Sequence, residues 1–101
     1  MKIDIILEPD VTPAQITELG LQAEGHGINR IWVQNYSAAR DCFMSLVPLA
    51  LASKRIGVGV MVVSPWEMHP LKMANALLTL NEYSKGRAAL CVGGGAEWNG
   101  I

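Results

Sequence analysis

Ile56-Gly57-Val58-Gly59-Val60-Met61-Val62-Val63 decides the fold. These eight residues are of strand length, rich in β-branched side chains, and have no polar position alternating with the apolar ones. A run of that kind is buried on both faces, as strands of a parallel sheet are. Working outward, Ile3 to Leu7, Arg30 to Val33 and Ala88 to Val92 are further short apolar runs of strand length. Three segments of helical spacing separate the four strands. Thr12-Pro13-Ala14-Gln15 opens the first as a capping box with proline at its first position, Ile16, Leu19, Ala23 and Gly27 share a face, and Gly25-His26-Gly27 ends it. Asp41 caps the second, which runs through Phe43, Leu46, Val47 and Ala50 to Ser53, with Pro48 inside it. The third starts at Pro70, is expected to bury Leu71, Ala74, Leu77 and Leu78, and stops at Lys85-Gly86.

Strand and helix therefore alternate in units close to the roughly 30 residues of a βαβ repeat, which argues for a parallel sheet with right-handed crossovers. A doubly wound sheet and a (β/α)8 barrel both satisfy this pattern. A barrel needs about 250 residues, so 101 residues supply the N-terminal half of a (β/α)8 TIM barrel, four parallel strands alternating with three helices, or a small open sheet. The half barrel is the favoured reading, as a single domain over residues 1–101.

Charged residues make up only 17% of the chain, where about 25% is usual. A small domain so short of charge is built to hide much of its surface. The 8 Lys and Arg against 9 Asp and Glu leave a net charge of −1 and no basic run, so nucleic acid is not an expected partner. Cys42 and Cys91 match neither a zinc spacing nor a disulfide framework, and no metal site is expected. No apolar stretch approaches the roughly 20 residues of a membrane span. Without a signal-peptide core either, the expected compartment is the cytoplasm.

In either architecture ligands gather beyond the C-terminal ends of the strands. The loops there hold Glu8, Asp10, Gln34, Asn35, Tyr36, Ser64, Trp66, Glu67, His69, Glu97, Trp98 and Asn99. The opposite ends carry Lys2, Asn29, Lys54, Arg55, Lys85 and Arg87, which read as a solvated rim. Gly93-Gly94-Gly95 allows close backbone approach to an anion or a flat ring, although Trp98 breaks the dinucleotide pattern GxGxxG. Three side chains are candidates for proton handling or ligand hydrogen bonds. Tyr36 can donate from its phenol. His69, before Pro70, is either a general base or a helix cap. Glu97, beside Trp98, suits proton transfer if the indole desolvates it.

Met1 to Glu8, Arg30-Ile31-Trp32-Val33, Ser53 to Val60, His69-Pro70, and Thr79 to Arg87 leading into Gly93-Gly94-Gly95 form an ordered set spanning nearly the whole chain. The set resembles the luciferase-like superfamily of flavin- and deazaflavin-dependent oxidoreductases, of the bacterial luciferase and F420-dependent methylenetetrahydromethanopterin reductase type. The resemblance implies a barrel enzyme binding F420 or FMN at the strand C-termini. It would transfer hydride between cofactor and a small organic substrate, or activate oxygen as a monooxygenase. It also implies a bulge in Val60 to Ser64, often with a non-prolyl cis peptide, supporting the ring. Asn35, Val62, Val63, Ser64, Gly93, Gly94 and Gly95 are then the cofactor-binding candidates and Tyr36, His69 and Glu97 the catalytic ones. The sequence departs from the family at Asn35-Tyr36, where many members carry Asp-His, and the stretch from Gly59 to His69 is longer than usual.

The family barrel has about eight strands. Four alone would expose the inner sheet face and two open edges, and each Val, Ile or Leu left in water forfeits about 1.5–3 kcal/mol. The expectation is a portion of a longer enzyme, or a subunit joined by the remainder of the barrel or by a further copy. The family's phosphate contacts come largely from later strands, so the 101 residues alone are expected to be inactive. Two other classes fit the residues: a flavin-independent barrel lyase or isomerase using Glu8, His69 and Glu97, and a non-catalytic half-barrel assembly module.

Overall fold

The computed structural model describes residues 1–36 and 40–94. The strands are β1 (Asp4–Leu7), β2 (Arg30–Gln34), β3 (Gly57–Val63) and β4 (Ala88–Val92). The helices are α1 (Pro13–Gly25), α2 (Cys42–Ala52) and α3 (Pro70–Tyr83). All three strand pairs are parallel and the order is β1-β2-β3-β4, so β1 and β4 are the sheet edges.

Local chemistry places the helix ends where the residues demand. Gln15 N–H donates to Thr12 Oγ1 at 3.1 Å and Thr12 N–H to Gln15 Oε1 at 2.9 Å, closing the capping box. Asp41 accepts from Met44 N–H at 2.7 Å. Helix α1 gives way to Gly27 at φ 78°, and α3 to Lys85 and Gly86 at 55° and 89°, where the chain turns left-handed to re-enter the sheet. Pro48 sits within α2, which is continuous on either side of it.

One face of the sheet carries the core. Ile31 and Val33 of β2 and Val58, Val60 and Val63 of β3 pack under Ile16 and Ala23 of α1, Phe43, Leu46, Leu49 and Ala50 of α2, and Met73 and Leu80 of α3. Gly20 lets α1 approach α2, because a Cβ there would lie 2.4 Å from Leu49 Cδ2. Two helix faces differ from expectation. In α1 the buried positions are Ile16, Gly20 and Ala23, with Leu19 exposed. In α3 they are Met73 and Leu80, while Leu71, Ala74 and Leu78 are exposed and Leu77 is half-buried. Met73 and Leu80 are seven residues apart and stack on one side of the helix. Leu71 and Leu78, spaced the same way, fall on the other.

The opposite, concave face of the sheet is covered differently from what the doubly apolar β3 suggested. Gly57 and Gly59 leave a trough along β3 that side chains of the adjacent strand fill. A Cβ at Gly57 would lie 2.7 Å from Arg30 Cζ, and one at Gly59 2.5 Å from Trp32 Cε3. The Arg30 guanidinium stands 5.6 Å from the Trp32 ring centroid and donates to Val58 O and Arg87 O. Trp32 Nε1–H and Asn29 Nδ2–H each donate to Asp4 at 2.9 Å, and these two bonds, Trp32 first, hold the Asp4 carboxyl below its ordinary range.

The rim read as merely solvated is a connected layer. Glu24 Oε2 accepts from the backbone N–H groups of Lys54, Arg55 and Ile56 at 3.0, 2.7 and 2.9 Å. Burial pushes this carboxyl upward, but those three bonds and the Arg55 charge outweigh it and hold it below its ordinary value. A depressed carboxylate contributes stability that is complete above the unfolded value of 4.5 and is lost as pH falls through the lower folded value. Glu24→Gln should therefore cost about 1 kcal/mol near pH 7 and less at an acid pH below the folded value, where the carboxylate is protonated. Urea midpoints of both proteins at the two pH values check this, and an equal loss at each would contradict it.

Candidate functional site

The C-terminal rim of the sheet is shaped by a break in the ladder between β3 and β4. Met61 pairs with Cys91 and Val63 with Val92, so Val62 is an extra residue that bulges out of register, and the Met61–Val62 peptide bond is cis. The bulge lies inside the expected stretch from Val60 to Ser64. Val63 and Ser64 are buried behind it, whereas Val62 is 39% exposed. Gly93 N–H donates to Val63 O at 3.0 Å, and a Cβ on Gly93 would sit 2.5 Å from Val62 Cγ1. The side chain of Val62 thus occupies the space that glycine leaves.

Asn35 is the brace of this bulge. Its backbone N–H donates to Met61 O at 2.7 Å, and its Nδ2–H group donates to Val62 O at 3.2 Å and to Glu67 Oε2 at 2.8 Å. Ser64 organises the turn that follows: its Oγ accepts from Trp66 N–H, and its carbonyl accepts from Glu67 and Met68 N–H. That turn carries Glu67 back toward Asn35. Sequence reading placed Glu67 among the rim residues without a role, and the contact joins positions 32 residues apart.

Between the β2–α2 and β3–α3 loops lies a cleft of about 390 Å³ lined by Asn35, Tyr36, Arg40, Asp41, Glu67 and Met68, with Val63 at its base. Tyr36 is exposed at its edge. Arg40 Nη1–H donates to Asp10 O, tying the cleft to the loop after β1. Below it, Cys42 Sγ–H donates to Gln34 O at 3.1 Å, and burial pushes its thiol up to about 11, so it stays protonated and inert.

His69 caps α3, accepting from Leu71 N–H through Nδ1 at 3.0 Å, which leaves Nε2 on an exposed ring. Gly94 is open, with nothing within 4 Å of an added Cβ. Gly95 and Glu97 lie outside the described residues. The rim thus brings together Asn35, Tyr36, Val62, Val63, Ser64 and Gly93, with His69 at the next helix start. Among the described residues no group of three or more metal-binding side chains occurs, and no helix is long and apolar enough to cross a membrane.

Residues 1–100 match the family model described as luciferase-like monooxygenase. A 5,10-methylenetetrahydromethanopterin reductase of Archaeoglobus fulgidus is 33% identical over 95 residues, 94% of this chain and 29% of that protein. An F420-dependent glucose-6-phosphate dehydrogenase of Amycolatopsis mediterranei is 30% identical over 98 residues, 88% of this chain and 29% of that one. The structure of the coenzyme F420 dependent tetrahydromethanopterin reductase from Methanopyrus kandleri superposes with a TM-score of 0.90 at 28% identity, covering 97% of this chain and 28% of that chain. The fold alone is shared with the oxygenating constituent of an FMN-containing 3,6-diketocamphane monooxygenase of Pseudomonas putida, at a TM-score of 0.83 and 21% identity, over 95% of this chain and 30% of that one. The expected fold class stands: four parallel strands alternating with three helices, as part of a (β/α)8 barrel. The chain spans less than a third of the length of these relatives.

Proposed function

The chain belongs to the luciferase-like monooxygenase family, and from that premise we propose that it is the ring-binding part of an oxidoreductase using F420, with FMN as the second candidate. The relatives of 28–33% identity whose names state a cofactor name F420, which favours the deazaflavin. The observation that carries the reading is the bulge at Val62, held by Asn35 and backed by Gly93, which presents an apolar side chain at the C-terminal rim of the sheet.

These residues fit a flat ring system. Val62 offers an apolar support, the absence of a side chain at Gly93 leaves that support its place, and Gly94 adds no bulk beside it. Val62, Gly93 and Gly94 would hold the ring, with Asn35, Val63 and Ser64 fixing the backbone beneath. The chemistry that such a cofactor supplies when bound is hydride transfer to or from a small organic substrate. Tyr36 would donate a hydrogen bond from its hydroxyl, and His69 Nε2 and Glu97 would hold or move protons. Asn35-Tyr36 stands where many members carry Asp-His, so the acid-base role of an imidazole does not carry over to that position.

The reading includes residues 1–101 as one part of a single barrel domain whose remaining strands complete the cofactor's phosphate contacts. These residues alone do not turn over. Free thiols at Cys42 and Cys91 suit a reducing cytoplasm. The test is a titration of the protein with F420 and, in parallel, with FMN, following quenching of cofactor fluorescence. Saturable quenching by either, tighter for F420, is expected. Failure of both would overturn the assignment in favour of a flavin-independent barrel enzyme or an assembly module.

A further inference from the structure

Two oxygens face the side-chain amide of Asn35, and neither can donate. Nδ2–H donates to Val62 O at 3.2 Å and to Glu67 Oε2 at 2.8 Å. A carbonyl and a carboxylate are acceptors only. The amide therefore has one admissible orientation, since turned over it would set Oδ1 against both. Val62 O alone enforces that choice through one long, neutral bond. The Glu67 bond is shorter and involves a charged acceptor, which roughly doubles the strength of such a contact. Glu67 is exposed, so water competes for its carboxylate and the gain is that of a surface bond.

The circuit closes on the bulge itself. Asn35 holds Met61 O with its backbone N–H at 2.7 Å and Val62 O with its side chain, so the carbonyls of two successive residues of β3 hang on one residue that follows β2. Beyond Val62, Ser64 O accepts from Glu67 N–H at 3.0 Å and from Met68 N–H at 3.1 Å, which turns the chain back on itself. Glu67 thereby reaches the amide from the β3 side, and one side-chain bond joins the two loops that border the cleft.

We propose that Glu67 is a positioning residue of the ring site: it locks the Asn35 amide, and the locked amide holds Val62 where the ring rests. The inference rests on the ring-binding reading of the Val62 bulge. Glu67 acts through Asn35 and not on the cofactor. The two residues are a matched donor and acceptor, so an acid at position 35 sets carboxylate against carboxylate and leaves Val62 O without its donor.

NMR of the protein without cofactor reads the lock directly. Glu67→Ala should move the Asn35 side-chain amide protons toward their solvent-exposed shifts and displace the Val62 methyl signals. Glu67→Gln keeps an acceptor oxygen and should leave both near the parent. Fluorescence titration with F420 reads the consequence. Affinity should fall about fivefold in Glu67→Ala and stay within about twofold in Glu67→Gln, because one surface bond is at stake. Asn35→Asp should lose about thirtyfold. Adding Glu67→Gln, whose amide can donate to the new carboxylate, should bring that loss back to about tenfold, so the two changes do not add. Asn35 and Val62 signals indifferent to Glu67→Ala, an unchanged affinity in that variant, or additive losses in the double variant would overturn the proposal. A parent that binds no F420 overturns the ring reading and with it the role at the ring, while the cofactor-free signals separately decide whether Glu67 locks the amide.

Discussion

Arg87→Met should cost the fold about 3–4 kcal/mol and lower its melting midpoint by roughly 15 °C. The half-buried guanidinium makes five hydrogen bonds that tie three elements together. Nε–H donates to Ser84 O at 2.5 Å, Nη1–H to Ser53 Oγ and Ile56 O at 2.8 Å each, and Nη2–H to Ala50 O at 3.1 Å and Ser53 O at 3.3 Å. Ala50, Ser53 and Ser84 are at or near the C-terminal ends of α2 and α3, where carbonyls lack helical partners and the helix dipoles favour a cation. A methionine fills similar volume but strands those carbonyls at a crowded junction. Lysine keeps the charge without the fork, so Arg87→Lys should recover less than half the loss. Thermal and urea unfolding of both variants checks this, and a loss below about 1 kcal/mol in Arg87→Met would show that water replaces the guanidinium.

Gly93→Val should weaken cofactor binding on the order of a hundredfold while leaving most of the fold's stability in place. Gly93 does not have a positive φ, so a side chain is conformationally admissible there. The obstacle is steric: its Cβ would stand 2.5 Å from Val62 Cγ1. The substitution must therefore move Val62, the residue proposed to support the ring. Gly25→Ala, at the end of α1 away from the rim, is the control, since nothing lies within 4 Å of its added Cβ, and it should bind as the parent does. Fluorescence titration with F420 compares the three proteins. Equal affinity in Gly93→Val would remove Val62 from the site.

The elements were legible in the sequence because each is a strong local signal. The β-branched run at Val58 to Val63 and the short apolar run at Ala88 to Val92 read as strands, and Thr12-Pro13-Ala14-Gln15 specifies a helix start by hydrogen bonds within four residues. The face of α3 was misread because the helix has two apolar stripes, Leu71 and Leu78 on one side and Met73 and Leu80 on the other. Spacing alone does not say which one meets the sheet. Arg55 and Arg87 of the rim looked solvated because their side chains bond mostly to backbone carbonyls of distant segments, which carry no sequence signature. The bulge stretch was found through family resemblance. Its brace was not, since the bonds from Asn35 to Val62 and Glu67 exist only once β2 and β3 are paired.

The most direct test of the proposal that the Val62 bulge carries the ring is isotope-edited NMR with valine methyl labelling, recording nuclear Overhauser contacts from the ring protons of bound F420. The account predicts contacts to the Val62 methyls that vanish in Gly93→Val. Bound F420 whose ring protons reach other valines, such as Val47 on the outer helix face, but not Val62 would contradict it.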